Sequence, residues 1–229
     1  MSKLRFTITM TLDGYIAGPN QSIENPLGEG GEQMHDWVVK LKFFREMHGD
    51  EGGGETGTND DVLREAFENI GATIMGRNMF GGGPGPWDAS WKGWWGDNPP
   101  YHTAVFVLTH HAREPLEMQG GTTFFFVTDG IESALRQAKE AAGAKDVLLG
   151  GGAKVAQQYL AAGLIDEMEL HVVPLLLGGG ERLLDNLGSD VTLEPVRTVE
   201  GPGVTHLKYR VKHSGSGTDG QRAESPAKA

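Results

Sequence analysis

No cysteine occurs among the 229 residues. That absence removes disulfides, thiolate metal ligands, cysteine nucleophiles and thiol redox chemistry together, and with them any reason to expect an oxidising compartment. Basic residues are also scarce. Against 31 Asp and Glu stand 20 Lys and Arg, a formal charge of −11, and the resulting field opposes a nucleic-acid groove or an anionic membrane surface as partner. A small anion held locally is still compatible with it. Long apolar runs are missing too: Val172-Val173, then Pro174, then Leu175-Leu176-Leu177 fall far short of the ~20 residues that span a bilayer. No continuous apolar core of the signal-peptide kind opens the sequence. These absences set the expectation of a cytoplasmic protein with one domain over residues 1–213. Residues 214–229, SGSGTDGQRAESPAKA, have almost no apolar content and are expected to form a disordered tail.

What is present is regular. Leu4, Phe6, Ile8, Met10 and Leu12 alternate with Arg5, Thr7, Thr9 and Thr11, the period-two pattern of a strand with one face on the core, stopped by the turn pair Asp13-Gly14. Met34, Trp37, Val38, Leu41 and Phe44 repeat at helical spacing and predict a first helix running to about His48. Five glycines in 49–57 then preclude a stable helix. A second helix is expected from Asn59 as N-cap, with Val62, Leu63, Ala66, Phe67 and Ile70 on one face and Gly71 as its stop. From there strands (72–75, 104–109, 123–127, 146–149, 167–173) alternate with helices (77–80, 131–142, 153–162). Asp129 and Glu132 have capping-box spacing, and Gly143 and Gly163 sit where helices end. Strands over 191–197 and 204–211 lack an intervening helix and read as an antiparallel edge. The fold class is therefore α/β, a mostly parallel sheet with helices on both faces.

Glycine, with 35 residues, is abundant, and three of its clusters follow or flank apolar strands, where such sheets place ligand loops. Leu148-Leu149-Gly150-Gly151-Gly152-Ala153 is a strand, three glycines and a helix with Val155 and Ala156 inward. Free N–H groups and the positive end of the helix dipole suit a pyrophosphate there; a tight turn would use the same residues. Ile74-Met75-Gly76-Arg77-Asn78 is a second junction, with a guanidinium at the first turn that can fork onto a phosphate or lie solvated on the surface. The strand before Thr109 empties into Thr109, His110, His111 and Arg113, more donors for the same anion. His110 and His111 do not suggest a metal, since neighbouring residues of extended chain point apart. Trp87, Trp91, Trp94 and Trp95 offer either a stacking surface for a flat substrate or, the reading favoured here, a plug sealing a long loop onto the sheet or a second subunit.

Taken in order, Thr11-Leu12-Asp13-Gly14-Tyr15-Ile16-Ala17, Ile74-Met75-Gly76-Arg77, Leu149-Gly150-Gly151-Gly152, Gly163-Leu164-Ile165-Asp166-Glu167 and Pro174-Leu175-Leu176-Leu177-Gly178 resemble the dihydrofolate-reductase-like superfamily. The resemblance is closest to the reductase half of the bacterial riboflavin-biosynthesis deaminase/reductase, over residues 3 to about 211. It implies a three-layer α/β/α fold that binds NADPH across the strand ends. The pyrophosphate would sit on Gly151 and Gly152, the 2′-phosphate near Arg77 and the loop of Thr109, His110 and His111, and the nicotinamide against Ile16 and Ala17; Gly76, Asn78, Gly150, Ala153 and Val155 complete the expected cofactor-binding set. The zinc deaminase half needs cysteine ligands and is not expected. Tyr15 departs from the riboflavin-type pattern, which carries a basic residue after the Asp-Gly turn. Dihydrofolate reductases place a buried carboxylate on the first helix, for which only Glu32 and Asp36 stand near the expected first helix here.

The function expected is an NADPH-dependent reductase moving hydride to a small planar substrate, with Asp13 as proton donor or as an ordinary turn residue. The alternative is a nucleotide-binding sensor or sequestering protein without turnover. A homodimer is expected, and neither nucleic acid nor membrane as partner.

Overall fold

The computed structural model describes residues 2–50, 52–188 and 191–213; the expected tail lies outside them. The chain forms β1 (Leu4–Thr11), β2 (Tyr15–Ala17), α1 (Lys42–Met47), α2 (Thr58–Phe67), β3 (Ile70–Gly76), α3 (Arg77–Phe80), β4 (Ala104–Leu108) and β5 (Leu116–Glu117). It continues through β6 (Thr123–Val127), α4 (Ile131–Ala142), β7 (Asp146–Gly151), α5 (Ala153–Ala161), β8 (Glu167–Val173), β9 (Glu181–Arg182), β10 (Val191–Gly201) and β11 (Val204–His213). The main sheet has the order β10-β11-β8-β1-β7-β3-β4-β6-β5, and β2 pairs with β9 in a small ribbon.

The six strands from β8 to β6 run parallel, so their C-terminal ends share one edge, where ligand loops gather in such sheets. Period-two alternation then sets two cores. Leu4, Phe6, Ala72, Ile74 and Phe106 face α4 and α5, whose Ala134, Leu135, Ala138, Ala156 and Leu160 are buried against them. On the opposite face Met75, Val105, Val107 and Phe124 lie under Phe80, Trp87, Trp91 and Trp95. The tryptophans are thus a plug on their own sheet, as favoured from sequence. Gly81 shows why glycine precedes them, since a Cβ there would meet the Trp94 ring at 2.5 Å.

The first-helix expectation holds only for its last part, α1 with His48 as its C-cap, and fails before Lys42. A 3-10 turn over Gly31–His35 is followed by turns, and Leu41 is extended before α1 begins. Its backbone forms a bridge with Glu55 instead. The apolar spacing was a burial signal all the same: Met34, Trp37, Val38 and Leu41 are buried. Asn59 lies inside α2, one residue after Thr58 opens the helix, and its side chain is taken by Pro202 and His206 rather than by the helix end. The helix ends before Gly71, at Phe67, and Ile70 and Gly71 already belong to β3. Asp129 makes no capping box, because Gly130 is the N-cap of α4 without a side-chain cap. The polar face of β1 is not solvated either. Trp37 covers it and donates its indole N–H to Thr9 Oγ1 at 3.3 Å.

Candidate active site

β3 and β7 are neighbours and end together, with Met75 paired to Gly151. A side chain at Gly76 would crowd α5: its Cβ would stand 2.7 Å from Val155 Cγ2, which would have to shift. Gly151 has φ +118°, a conformation side chains disfavour, with Ile8 Cδ1 at 3.4 Å from a Cβ placed on it. Around Gly152 that space is open, and α5 starts there without a side-chain cap. Its first-turn N–H groups therefore lack acceptors inside the helix. Ala153 is buried and Val155 half-buried, so their side chains support the glycine turn from behind. Met79 stands against Gly150 and Gly151, so the open space is at Gly152, beside the helix N-terminus, where an anion such as a pyrophosphate fits.

The second cluster is cationic. Arg77 opens α3, and its guanidinium carbon lies 3.7 Å from the centroid of the Trp87 ring. None of its three nitrogens has a hydrogen-bond partner or contact with solvent. Arg113 lies over the same ring at 5.4 Å; burial, and then this second guanidinium, push the Arg77 pKa down. Trp87 Nε1 donates to His111 O at 2.7 Å. Thr109 is buried and uses its hydroxyl on its own loop, accepting from His111 N at 3.2 Å. His110 and Asn78 are exposed at the rim. The structure thus brings Arg77, Arg113, Trp87 and His111 together, while Thr109 organises the loop.

At the third corner, β2 carries Ile16 and Ala17, both buried. Asp13 precedes them. It accepts from Thr11 Oγ1 at 2.6 Å, from Gly178 N at 2.8 Å and from Leu177 N at 3.3 Å, and these bonds to the ionised form outweigh its desolvation and hold its pKa below the usual carboxylate range. The geometry is that of a loop anchor, and an acid that is already ionised cannot donate a proton at neutral pH. The ring of Tyr15 carries a cation after all, from a distant part of the sequence: Arg182 of β9 lies over it at 5.2 Å. Glu32 and Asp36 are exposed and supply no buried carboxylate.

Sequence reading missed a buried imidazole pair beneath this floor. His171 Nδ1 and His206 Nδ1 are 2.8 Å apart, His171 Nε2 is 2.9 Å from Thr7 Oγ1, and His206 Nε2 is 3.0 Å from Asn59 Oδ1. The Asn59 amide nitrogen donates to Pro202 O, so its oxygen accepts from His206. It follows that His206 receives at Nδ1 the proton-bearing Nδ1 of His171, and His171 receives from Thr7. One tautomer set satisfies every group. The unbroken Thr alternation of β1 was the available signal that a polar network, not water, covers this face. Among the described residues no group of three or more His, Asp or Glu converges as a metal site would require, and no helix is long and apolar enough to cross a membrane.

Comparison with known proteins agrees with this architecture. Residues 2–207 match the family described as RibD C-terminal domain. The chain is 32% identical to the uncharacterized protein YyaP of Bacillus subtilis (strain 168), covering 88% of this chain and 91% of the relative. Among solved structures it resembles a putative riboflavin biosynthesis protein from Shewanella sp. PV-4, at TM-score 0.57 and 24% identity over 93% of this chain and all of that one. It also resembles the deaminase/5-amino-6-(5-phosphoribosylamino)uracil reductase of Thermotoga maritima, at TM-score 0.54 and 18% identity over 91% of this chain and 56% of that one. A dihydrofolate reductase from Enterococcus faecalis complexed with NADP(H) follows at TM-score 0.51 and 16% identity, over 91% and 96%. At such identities the structural likenesses establish the fold.

Proposed function

Because the chain belongs to the RibD C-terminal domain family, we propose that it is an NADPH-dependent reductase acting on a conjugated C=N or C=O bond of a small planar substrate. The pyrimidine-, pterin- and quinone-like classes are the candidates. The observation that carries the reading is the Arg77 guanidinium, its three nitrogens closed to solvent and without a hydrogen-bond partner, beside a second guanidinium. A buried charge left unpaired is costly, and a phosphate dianion supplies the missing acceptors.

In this reading Arg77 holds the 2′-phosphate, with Arg113 and the loop of Thr109, His110 and His111 adding charge and donors. The backbone at Gly151 and Gly152 receives the pyrophosphate, and Ile16 and Ala17 form an apolar wall that excludes water from the nicotinamide. Bound NADPH supplies the hydride. Asp13 positions the 175–178 segment beside that wall, and the proton for the acceptor atom comes from water. A substrate resembling the phosphoribosylamino-uracil of the Thermotoga relative would find Arg182 above Tyr15, where its phosphate would compete with Asp185, paired to Arg182 Nε at 3.2 Å.

Calorimetric titration tests the cofactor assignment. NADPH should bind on the order of ten- to a hundredfold tighter than NADH, the worth of a charge-assisted phosphate contact. Arg77→Ala should close that gap and leave NADH binding nearly unchanged. Equal affinities in the wild type would remove the 2′-phosphate assignment. A second reading, a non-catalytic NADPH-binding sensor, draws on Asp13, whose carboxylate is committed to the loop and leaves the site without an acid from that residue. Stopped-flow oxidation of bound NADPH by a panel of quinones, pterins and pyrimidines separates the two.

A further inference from the structure

The site of Arg77 is shut. The indole of Trp87 covers one face of the guanidinium at 3.7 Å, and Nε, Nη1 and Nη2 are all closed to solvent. Trp87 is itself fixed on several sides. Its N–H donates to His111 O at 2.7 Å, and its ring meets Phe80 at 5.7 Å and Phe126 at 5.0 Å edge-on. Arg113 Nη2, donating to Ala89 O at 3.3 Å, ties the same two segments a second time.

A guanidinium offers five N–H donors in its plane, and the indole stacked above engages none of them. The stack offsets only part of what the cation lost with its water. An anion binds along the edge of the fork, through two parallel N–H bonds. That edge is sealed, so no anion reaches it while the closed packing persists. Parting the Arg77–Trp87 stack frees the guanidinium to turn that edge outward, so the stack is the contact an entering anion has to break.

We propose that Trp87 is a gate over Arg77, and that a phosphomonoester dianion enters only after the Arg77–Trp87 stack has separated. This rests on the phosphate reading of Arg77 and adds its regulation. Apparent affinity is the intrinsic affinity multiplied by the open fraction, so the indole lowers the affinity for phosphorylated ligands. A ligand lacking the phosphate has no bond to gain by opening the stack. Trp87 therefore moderates the selectivity that Arg77 creates.

The test uses the full chain and adenosine 2′-phosphate as probe, with affinity read by calorimetry and rates by tryptophan fluorescence. In the wild type the observed rate should level off as probe concentration rises, because opening precedes binding. Trp87→Leu should bind the probe roughly two- to thirtyfold tighter, the factor a cation–π contact of this kind represents. Trp87→Phe keeps a ring but not the N–H for His111 O, and should fall between. Should the leucine variant not fold, the phenylalanine variant decides: tighter binding supports the gate, equal or weaker binding overturns it. A wild-type rate that rises linearly, or a leucine variant that binds no tighter, also overturns the gate. Equal binding by all three proteins removes the gate alone, whereas no binding by any of them removes the phosphate reading with it.

Discussion

Asp13 and the His171–His206 pair are titratable groups whose surroundings fix their charge in opposite senses. Asp13 is held ionised by the hydroxyl of Thr11 and the N–H groups of Gly178 and Leu177, so its contribution is positional. Asp13→Asn keeps an acceptor for Gly178 N and should lower kcat less than tenfold, short of the ~10²-fold that even a weak general acid contributes, and leave the pH profile in place. Asp13→Ala should lower it further. If the wild type loses kcat as pH rises and the asparagine variant does not, Asp13 is restored as proton donor. The imidazoles are held neutral. Burial, then the partner ring, lower His171 to about 3, and burial, then the Arg197 guanidinium, lower His206 to about 4. Around them stand Thr7, Asn59 and Trp37, with Arg197 itself paired to Glu169 and Glu65. In the unfolded chain both titrate near ~6.5. As pH falls below that value the unfolded state takes up protons that the folded state refuses, so stability present above it is lost toward pH 4. The slope approaches ~1.4 kcal/mol per pH unit for each proton. Urea unfolding between pH 7 and 5 should show this fall, and His206→Gln should flatten it; identical slopes would mean the pair is not the source.

Among the elements, the β7–α5 junction was the most legible from sequence and the 31–48 region the least. An apolar strand, three glycines and an apolar-faced helix leave one way to fold locally, and both elements formed within two residues of expectation. Met34, Trp37, Val38 and Leu41 reported burial correctly, but helical spacing does not require helix when a tertiary partner, here Glu55 against Leu41, draws the backbone into an extended bridge. The junction supports a prediction of its own. Gly151→Val places a β-branched residue at φ +118°, which strains the main chain and fills the hollow beside Gly152. NADPH should raise the melting temperature of the wild type by linkage and fail to raise that of the variant. An equal rise in both would reduce Gly150, Gly151 and Gly152 to a turn.

For the molecule as a whole, the tryptophan segment no longer argues for a partner, since Trp87, Trp91 and Trp95 pack on their own sheet. The remaining ground for a dimer is the outer part of the sheet. On β10 and β11, Leu193, Leu207 and Tyr209 are only half-buried, and Val196 is exposed. Pro195 and the irregularity beside it guard the β10 edge against strand addition, so a second copy would be held through the sheet face. Sedimentation at micromolar concentration should give about twice the 24.6 kDa of the chain; a species of that mass alone would count against the dimer.

Composition, periodicity and the glycine junctions by themselves determined the α/β class, the parallel strands, and Arg77 at the start of the helix after Gly76. Each is set by short-range chemistry: alternation selects a buried face, and glycine marks where backbone must come close. Tertiary structure alone decided what those residues meet. It turned Asp13 into an anchor by bringing Leu177 and Gly178 to it, supplied Arg182 to Tyr15, and paired His171 with His206. It also stacked Trp87 on Arg77. Such contacts join residues far apart in sequence, and their energy exists only when the sheet has set the spacing between them. A single sequence carries each partner's chemistry but not the distance that makes it act.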